Sequence, residues 1–190
     1  MFQQFLNWEE DAAKSPVWPE TKICKGALVK GIQEGNVKFG YGCMVHPFAK
    51  ILTEGNCTIT FGDYNIIEED VVIKACPKIN SKTGLEENFD MMIGNYNHFK
   101  IGCHVENTTI QNFNIIDYKS RIVNAFIESN TILTPLAEIK EGKILRKNAI
   151  ILPRNRTMFN VFFDEEEFKK NIENLAGVLE HLFNVGEKKK

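Results

Sequence analysis

Aliphatic or aromatic residues recur at every sixth position along most of this 190-residue chain. A period of six is incompatible with an amphipathic helix, because apolar side chains at that spacing drift around the helix axis within two repeats. It favours a solenoid of very short parallel strands, in which three hexads form one triangular coil of about 18 residues. Successive coils would stack about 4.8 Å apart. The recurring positions are Phe39, Val45, Ile51, Phe61, Ile67, Ile73, Ile93, Phe99, Val105, Ile110, Ile116, Ile122, Ile127, Leu133, Ile139, Leu145 and Ile151.

The first and fifth positions of each hexad are predicted to point into the solenoid. The first would form a ladder of stacked apolar residues. The fifth is crowded, so small or short side chains are expected there. They are Cys43, Ala49, Asn65, Val71, Asn97, Cys103, Thr109, Asn114, Ser120, Thr131, Ala137 and Ala149. Phe126 and Lys143 depart from this pattern.

The repeat divides the chain into three parts. Residues 1–22 form an N-terminal extension, residues 23–153 form the solenoid, and residues 154–190 form a linker, a helix and a basic tail. Within the solenoid, residues 77–92 are predicted to be a polar loop ejected from the coil. A loop of that length inside a compact domain is typically either functional or disordered.

The two ends of the chain carry further apolar residues. Asp164 and Glu167 have the spacing of a helix capping box, and an apolar stripe at helical spacing follows them. The stripe comprises Phe168, Ile172, Leu175, Leu179, Leu182 and Phe183. It either packs on a flank of the solenoid or serves as a docking surface for a partner. The N-terminal extension contains Phe2, Phe5, Leu6, Trp8, Val17 and Trp18, so we expect it to pack on the first coil or on a neighbour.

Composition excludes several functional classes. The chain has 23 Lys and Arg against 25 Asp and Glu, for a net charge of −2, which does not match the basic surface of a nucleic-acid-binding protein. No apolar stretch approaches the length of about 18 residues that a membrane span needs. The acidic start does not resemble a signal peptide. The sequence therefore predicts a cytoplasmic protein with no nucleic-acid partner and no membrane insertion.

The residues that most often carry chemistry show no convergent pattern. The five cysteines are Cys24, Cys43, Cys57, Cys76 and Cys103, which form no C-x-x-C pair and are interpreted as reduced structural thiols. The four histidines are His46, His98, His104 and His181. His98 and His104 are expected on neighbouring faces, and all four are assigned to the surface. The sequence predicts no catalytic, cofactor-binding or metal-binding residue, and no cofactor.

The repeat resembles that of the hexapeptide-repeat superfamily, whose members form left-handed parallel β-helices. Within it, the chain is most similar to the dynactin subunit 6 family. The similarity covers roughly residues 22–185 and is most specific in the stretches N-I-I-E-E at residues 65–69 and I-G-N-Y-N-H-F-K-I-G-C at residues 93–103. The resemblance implies an all-β solenoid, namely a left-handed parallel β-helix with a C-terminal α-helix.

Two enzymatic branches of the superfamily offer an alternative. Similarity to γ-class carbonic anhydrases places the zinc-ligand positions on Lys74, Ile101 and Glu106. A protonated lysine is a poor zinc ligand and isoleucine cannot bind zinc, so the resemblance implies that the metal site is lost. Hexapeptide acyltransferases resemble the chain in having an extruded loop, and they use a histidine base, for which His98 and His104 are candidates. The alternative to a non-enzyme is thus a trimeric γ-carbonic-anhydrase-like or acyltransferase enzyme.

The resemblance implies a non-catalytic structural subunit of the dynactin pointed-end complex, which supports dynein-driven transport along microtubules. The implied partners are dynactin subunits, chiefly a second hexapeptide-repeat subunit similar to dynactin subunit 5 and the pointed-end actin-related protein. The implied location is the cytoplasm, in association with the cytoskeleton.

Overall fold

The computed structural model describes residues 21–80, 82–159 and 163–187. The chain winds through three parallel sheets that form the faces of a triangular prism, with the apolar ladder inside. It passes from face 1 to face 2 to face 3 and back to face 1 in every coil. This is the solenoid of parallel strands that the period of six predicts, and it is the left-handed parallel β-helix that the resemblance implies.

The strands of each face are short and are stacked in chain order. Face 1 consists of β1 (Lys22–Ile23), β4 (Met44–Val45), β7 (Ile66–Ile67), β12 (His98–Phe99), β15 (Ile115–Ile116), β18 (Ile132–Leu133), β21 (Ala149–Leu152) and β22 (Arg156–Phe159). Face 2 consists of β2 (Leu28–Lys30), β5 (Lys50–Thr53), β8 (Val72–Ala75), β13 (His104–Glu106), β16 (Arg121–Val123) and β19 (Glu138–Ile139). Face 3 consists of β3 (Val37–Lys38), β6 (Thr58–Phe61), β11 (Asp90–Ile93), β14 (Thr109–Ile110), β17 (Phe126–Ile127) and β20 (Ile144–Leu145).

The predicted apolar ladder is confirmed along its whole length. Every first-position residue from Phe39 to Ile151 is buried. In the parallel pairing, each of these residues lies beside its counterpart in the next coil, as Ile51 does beside Ile73. Burial of one such column along each face provides the hydrophobic stabilisation of the solenoid.

The prediction for the second inward position is confirmed except beside the two slips of the repeat and at Lys143, which is exposed. Thr109 is only half-buried, and the buried residue is Thr108. Likewise Ala125, and not Phe126, occupies the interior. Side chains alternate along a strand, so the small residue lies two positions before the next ladder residue. Counting four positions forward from the previous ladder residue therefore gives the wrong inward residue wherever the step to the next ladder residue is five and not six.

All variation in coil length falls at the corner between faces 2 and 3, called here the 2/3 corner. The step between ladder residues across it is ten from Ile51 to Phe61, twenty from Ile73 to Ile93, and five from Val105 to Ile110. At the other two corners every step along the ladder is six. Insertions are therefore confined to one edge of the prism.

The ejected segment leaves the prism at the 2/3 corner and forms a small hairpin. Its strands β9 (Lys78–Ile79) and β10 (Glu86–Glu87) pair antiparallel. The excursion ends earlier than the predicted residue 92, because Asp90–Ile93 pair in parallel with Thr58–Phe61. Met91 and Ile93 point into the core and draw this stretch back into the sheet.

The segment after the last coil, which was expected to be a linker, contains regular secondary structure. After a single 3-10 turn at Pro153–Asn155, β22 pairs antiparallel with β21 and extends face 1. The helix α1 spans Glu165–Glu187, and the Asp164 carboxylate accepts a hydrogen bond from the backbone N–H of Glu167 at 3.0 Å. This confirms Asp164 as the N-cap. The predicted N-terminal extension and the basic tail lie outside the described residues, apart from Thr21 and Lys22.

Candidate functional site

Three of the four histidines pair with carboxylates from the coil framework. His98 Nε2 lies 2.7 Å from Glu68 Oε1, and His46 Nδ1 lies 3.1 Å from Glu69 Oε1. His104 Nε2 lies 3.2 Å from Glu106 Oε2. As predicted, His98 and His104 lie on neighbouring faces, face 1 and face 2. His181 lies among residues whose side chains are not described.

The assignment of these histidines to the surface is wrong for two of them. His46 is 7% exposed and His98 is 8% exposed, so both imidazoles are buried. His98 is in register with Ile66 on face 1, and Ile66 belongs to the cluster in which α1 packs on the sheet. His104 on face 2 is half-buried.

Glu68 makes the shortest of the three histidine–carboxylate contacts, and its carboxylate is the best candidate for an ionised group at this site. Burial would raise its pKa, but the hydrogen bond and charge of His98, the backbone N–H of Ile101 and the charge of His46 together lower it. The second carboxylate oxygen accepts that Ile101 N–H at 3.0 Å. An ionised carboxylate that orients an imidazole is the arrangement found beside general bases. Here the pair is enclosed between coils.

The three positions that correspond to zinc ligands in the carbonic-anhydrase branch do not form a centre. Lys74 and Glu106 lie side by side in the register of face 2, whereas Ile101 lies at a turn after face 1. The Lys74 ammonium pairs with Glu54 at 3.0 Å, and this hydrogen bond raises the Lys74 pKa. A protonated lysine cannot coordinate zinc. Among the described residues, no group of three or more His, Cys, Asp or Glu side chains could hold a metal ion.

Four of the five cysteines are buried, and Cys76 is half-buried. All five are free, and Cys43 and Cys103 are fully enclosed in the inner columns. Burial raises the pKa of Cys24 to about 12 and that of Cys43 to about 11. Because the thiolate is the reactive form, these thiols are inert at neutral pH.

The outer side of face 1 is the site where α1 docks. Ile172 and Ala176 of α1 pack with Met44 and Ile66 of the sheet. Phe168 and Leu175 are packed against the same cluster. The described part of the apolar stripe thus lies on the flank of the prism, as the first of the two interpretations predicts, while Leu179, Leu182 and Phe183 lie outside the described side chains.

An aromatic column at the corner between faces 3 and 1, the 3/1 corner, extends this docking site. Tyr64 stacks on Tyr96 at 5.1 Å between ring centroids, and Tyr96 stacks on Phe113 at 5.5 Å. The Tyr96 hydroxyl donates a hydrogen bond to the Glu173 carboxylate of α1 at 2.9 Å. Burial raises the pKa of Tyr96, and the hydrogen bond to Glu173 and the charge of that carboxylate raise it further. The helix is therefore held by both apolar and polar contacts.

Two features of this site escaped the sequence analysis. The carboxylate partners of His46 and His98 come from neighbouring coils, and Glu68 precedes His98 by 30 residues because the hairpin intervenes. An alignment of the sequences of successive coils, made across the hairpin, would have identified these carboxylates. The aromatic column was also missed, although Tyr64, Tyr96 and Phe113 each follow an Asp or Asn at the same place in the repeat.

The search for membrane-crossing helices, made over the described residues, finds none that is both long and apolar enough. No protein-family profile matches the chain.

Solved structures confirm the fold. PerB from Caulobacter crescentus, in complex with coenzyme A and GDP-perosamine, superposes with a TM-score of 0.53. The match has 16% sequence identity and covers 74% of this chain and 56% of that one. At this level of identity the similarity concerns the β-helix alone.

Sequence relatives are more specific. Dynactin subunit 6 of Danio rerio is 29% identical over 147 residues, which cover 75% of each chain. Dynactin subunit 6 of Nematostella vectensis is 30% identical over 131 residues, which cover 68% of each chain. These matches extend over most of the β-helix and agree with the repeat and the helix described above. The chain therefore belongs to the dynactin subunit 6 family.

Proposed function

We propose that this protein is a non-catalytic structural subunit of the dynactin pointed-end complex. In this role it packs against a second β-helical subunit similar to dynactin subunit 5 and against the pointed-end actin-related protein. It thereby supports dynein-driven, microtubule-based transport in the cytoplasm, in association with the cytoskeleton. The observation that carries the proposal is the similarity to dynactin subunit 6 chains over two thirds or more of their length.

The physical properties of the chain support such a role. Continuous ladders of buried residues on three faces make a stiff prism, which suits a part that positions other subunits. The titratable groups support the absence of catalysis. Cys24 and Cys43, whose pKa values are raised by burial, lie in the core, and Lys74 is held as a cation at a position where the carbonic-anhydrase branch has a zinc ligand.

Acyl transfer is the second candidate, and one observation favours it. The His98–Glu68 pair has the distance of a carboxylate-oriented imidazole, and the β-helix of PerB was solved with coenzyme A. A general base must reach the proton that it removes. With His98 8% exposed, the monomer does not present this imidazole to a substrate, which favours the structural role.

Purification of the tagged full-length protein from its own cells, with mass spectrometry and native sizing, tests the proposal. We expect another hexapeptide-repeat subunit and actin-related components in a particle far larger than the 21.7 kDa chain. A homotrimer with stoichiometric zinc would overturn it. So would acyl-coenzyme A turnover that His98→Ala abolishes while the matched variant His104→Ala retains it.

A further inference from the structure

The last strand of the solenoid has an open edge. On one side β22 pairs with β21, and among the described residues no strand pairs with its other side. All four of its side chains are exposed. An open edge presents a row of backbone N–H and C=O groups, and such a row is a template for pairing with another extended segment.

Both sides of β22 carry an exposed apolar side chain. Phe159 is paired with Ala149, which is buried, so Phe159 continues an inner column beyond the last coil. Met158 is paired with Ile150 and lies on the outer side of face 1. Met158 is 57% exposed and Phe159 is 62% exposed. An edge that is only protected against aggregation typically carries charged or short side chains, so these two residues indicate a surface that is covered by a partner.

The same end of the prism carries an excess of positive charge. Four exposed cations lie on the last coil and on the segment that follows it, namely Lys143, Lys147, Arg154 and Arg156. Among the described residues, none of these four side chains forms a salt bridge. Because the whole chain has a net charge of −2, this positive charge is a local feature of the C-terminal end.

The carboxylates nearest in the chain do not neutralise these cations, because most of them pair with other groups. The pairs are Glu128 with Arg146, Glu138 with Lys140, and both Glu165 and Glu166 with Lys169. Glu141 lies at the 2/3 corner, where its charge acts on Lys78, and Glu167 lies on α1. The four cations are therefore available to the anionic groups of another molecule.

The charge and the strand edge together select the kind of partner. A second copy of the chain would bring an equal set of cations to the same edge, and like charges in contact are unfavourable. An anionic lipid surface would match the charge, but hydrocarbon cannot satisfy the backbone groups of an open strand edge. An extended acidic segment of another protein matches both features.

We propose that the open edge of β22 binds an extended acidic segment of another protein, which joins face 1 as its next strand. In this mode of recognition, main-chain hydrogen bonds supply affinity and alternate side chains supply specificity. If acidic and apolar residues alternate in the added strand, its carboxylates lie on the side of Arg156 and its apolar side chains lie on the side of Phe159. This binding goes beyond the proposed function and does not depend on it.

An acidic peptide that favours the extended conformation tests the proposal on the full-length protein. The probe is a short fluorescein-labelled peptide of alternating Glu and Val, and fluorescence anisotropy measures its binding. A peptide of alternating Lys and Val is the control for charge. The Glu–Val peptide with every backbone nitrogen methylated is the control for strand pairing, because it keeps the charge and lacks backbone donors. We expect both controls to bind at least about tenfold more weakly than the probe.

Two double charge reversals locate the binding site. Arg154→Glu/Arg156→Glu changes the C-terminal end, and Lys50→Glu/Arg121→Glu changes two exposed cations of face 2 by the same net charge. The first variant should bind the probe about tenfold more weakly than the wild type, because each reversal replaces an attraction with a repulsion. The second should bind it within about twofold of the wild type, because salt screens distant charges. Thermal melting verifies that both variants fold.

Several results would overturn the proposal. Failure of the wild type to bind the probe would do so, and equal binding of the methylated peptide would show that charge acts without an added strand. Equal binding of the probe by folded Arg154→Glu/Arg156→Glu would place the site elsewhere. Binding of the wild type to phosphatidylserine vesicles but not to the probe would identify a lipid surface as the partner. A wild-type dimer that Met158→Lys dissociates would assign the edge to a second copy.

Discussion

Buried amides are the residues on which the 3/1 corner depends. Asn65, Asn97 and Asn114 are fully enclosed and lie above one another in successive coils. The Asn65 amide oxygen accepts both the backbone N–H and the side-chain N–H of Asn97, at 3.1 and 3.0 Å. Asn97 does the same for Asn114, at 3.0 Å in each case. An asparagine therefore fits this column better than an apolar residue of similar size, because each one satisfies the backbone of the next coil.

Asn97→Ala should lower the free energy of unfolding by about 3 kcal/mol, because it leaves the buried backbone N–H and one side-chain hydrogen of Asn114 without an acceptor. Unfolding in urea measures this change. Asn88→Ala is the control, since Asn88 is exposed on the excursion and should change stability by less than about 0.5 kcal/mol. Equal stability of the two variants would contradict the role assigned to the amide column.

The Glu68 carboxylate should make the free energy of unfolding decrease as the pH is lowered. Its pKa is lower in the folded protein, so its stabilising effect is present above the unfolded value of about 4.5. That effect is lost as pH falls through the lowered pKa of the folded state. At neutral pH, Glu68→Gln should reduce the free energy of unfolding by about 2 kcal/mol, the usual worth of hydrogen bonds to a charged group.

Urea unfolding of the wild type and Glu68→Gln from pH 7 down to pH 3 measures this prediction. The two proteins should converge at the acidic end. Glu69→Gln is the control, because that side chain is 42% exposed and its pair with His46 is screened by solvent. A constant difference between the wild type and Glu68→Gln across this range would show that ionisation of Glu68 is not its source.

At the scale of elements, α1 is held by a small cluster rather than by the main core. Ile172 is 5% exposed and contacts Met44 and Ile66, whereas Val178 on the same helix is 57% exposed. The helix also begins with three acidic residues in its first turn, which its dipole favours. Docking and capping act together to hold the helix on face 1.

Ile172→Ala should destabilise the protein by about 2 kcal/mol, because it removes buried methyl groups from the interface between α1 and face 1. Val178→Ala should remain within about 0.5 kcal/mol of the wild type. Calorimetric melting of both variants makes the comparison. An unchanged melting temperature for Ile172→Ala would mean that α1 is undocked in solution and that its apolar stripe is available to another protein.

The features that the sequence predicts best are those determined by a short repeat or by residues close together in the chain. Ladder residues such as Ile51 and Ile116 could be placed because a period of six leaves one solution for a chain of parallel coils. The N-cap at Asp164 was predictable because its partner is three residues away. Thr109 was wrongly assigned to the interior in place of Thr108, because the position of a slip depends on which corner absorbs it, and that is decided by pairing with other coils.

The features that were missed depend on contacts across coils of unequal length. The pairing of His98 with Glu68 needs the register across the hairpin, which adds ten residues to one coil. Strand β22 lies in the segment expected as a linker, and all four of its residues are exposed. Its place is set by the free edge of β21 and not by an apolar pattern of its own.

At the scale of the whole molecule, the two ends of the prism are unequal. At the C-terminal end, β22 covers the edge of β21 on face 1. At the N-terminal end, β1, β2 and β3 are the outer strands of their faces. Ile23 and Val29 continue the ladder of Val45 and Ile51 in register, yet they are only half-buried. Within the part of the chain that the structure describes, no strand pairs with the outer edges of β2 and β3, and a first coil with partly exposed apolar side chains is the kind of solenoid end that a capping segment covers.

We expect residues 1–20 to supply that cover. They join directly onto β1 at the open end and contain Phe2, Phe5, Leu6, Trp8 and Trp18. The chain has two tryptophans, both in this segment, so tryptophan emission excited at a wavelength that tyrosine does not absorb reports on this segment alone. The expected emission is blue-shifted from that of tryptophan in water and resists quenching by acrylamide, because the indole rings lie on apolar surface.

Val29→Lys tests whether the open coil is the surface that these tryptophans meet. Placing a charge in the exposed ladder position should shift the emission towards that of solvated tryptophan, since an apolar segment cannot cover an unpaired charge. Lys30→Glu, on the outward side of the same strand, should leave the emission unchanged. Solvated emission in the wild-type protein would contradict the prediction. The first coil would then be an apolar end that a neighbouring subunit of the assembly has to cover.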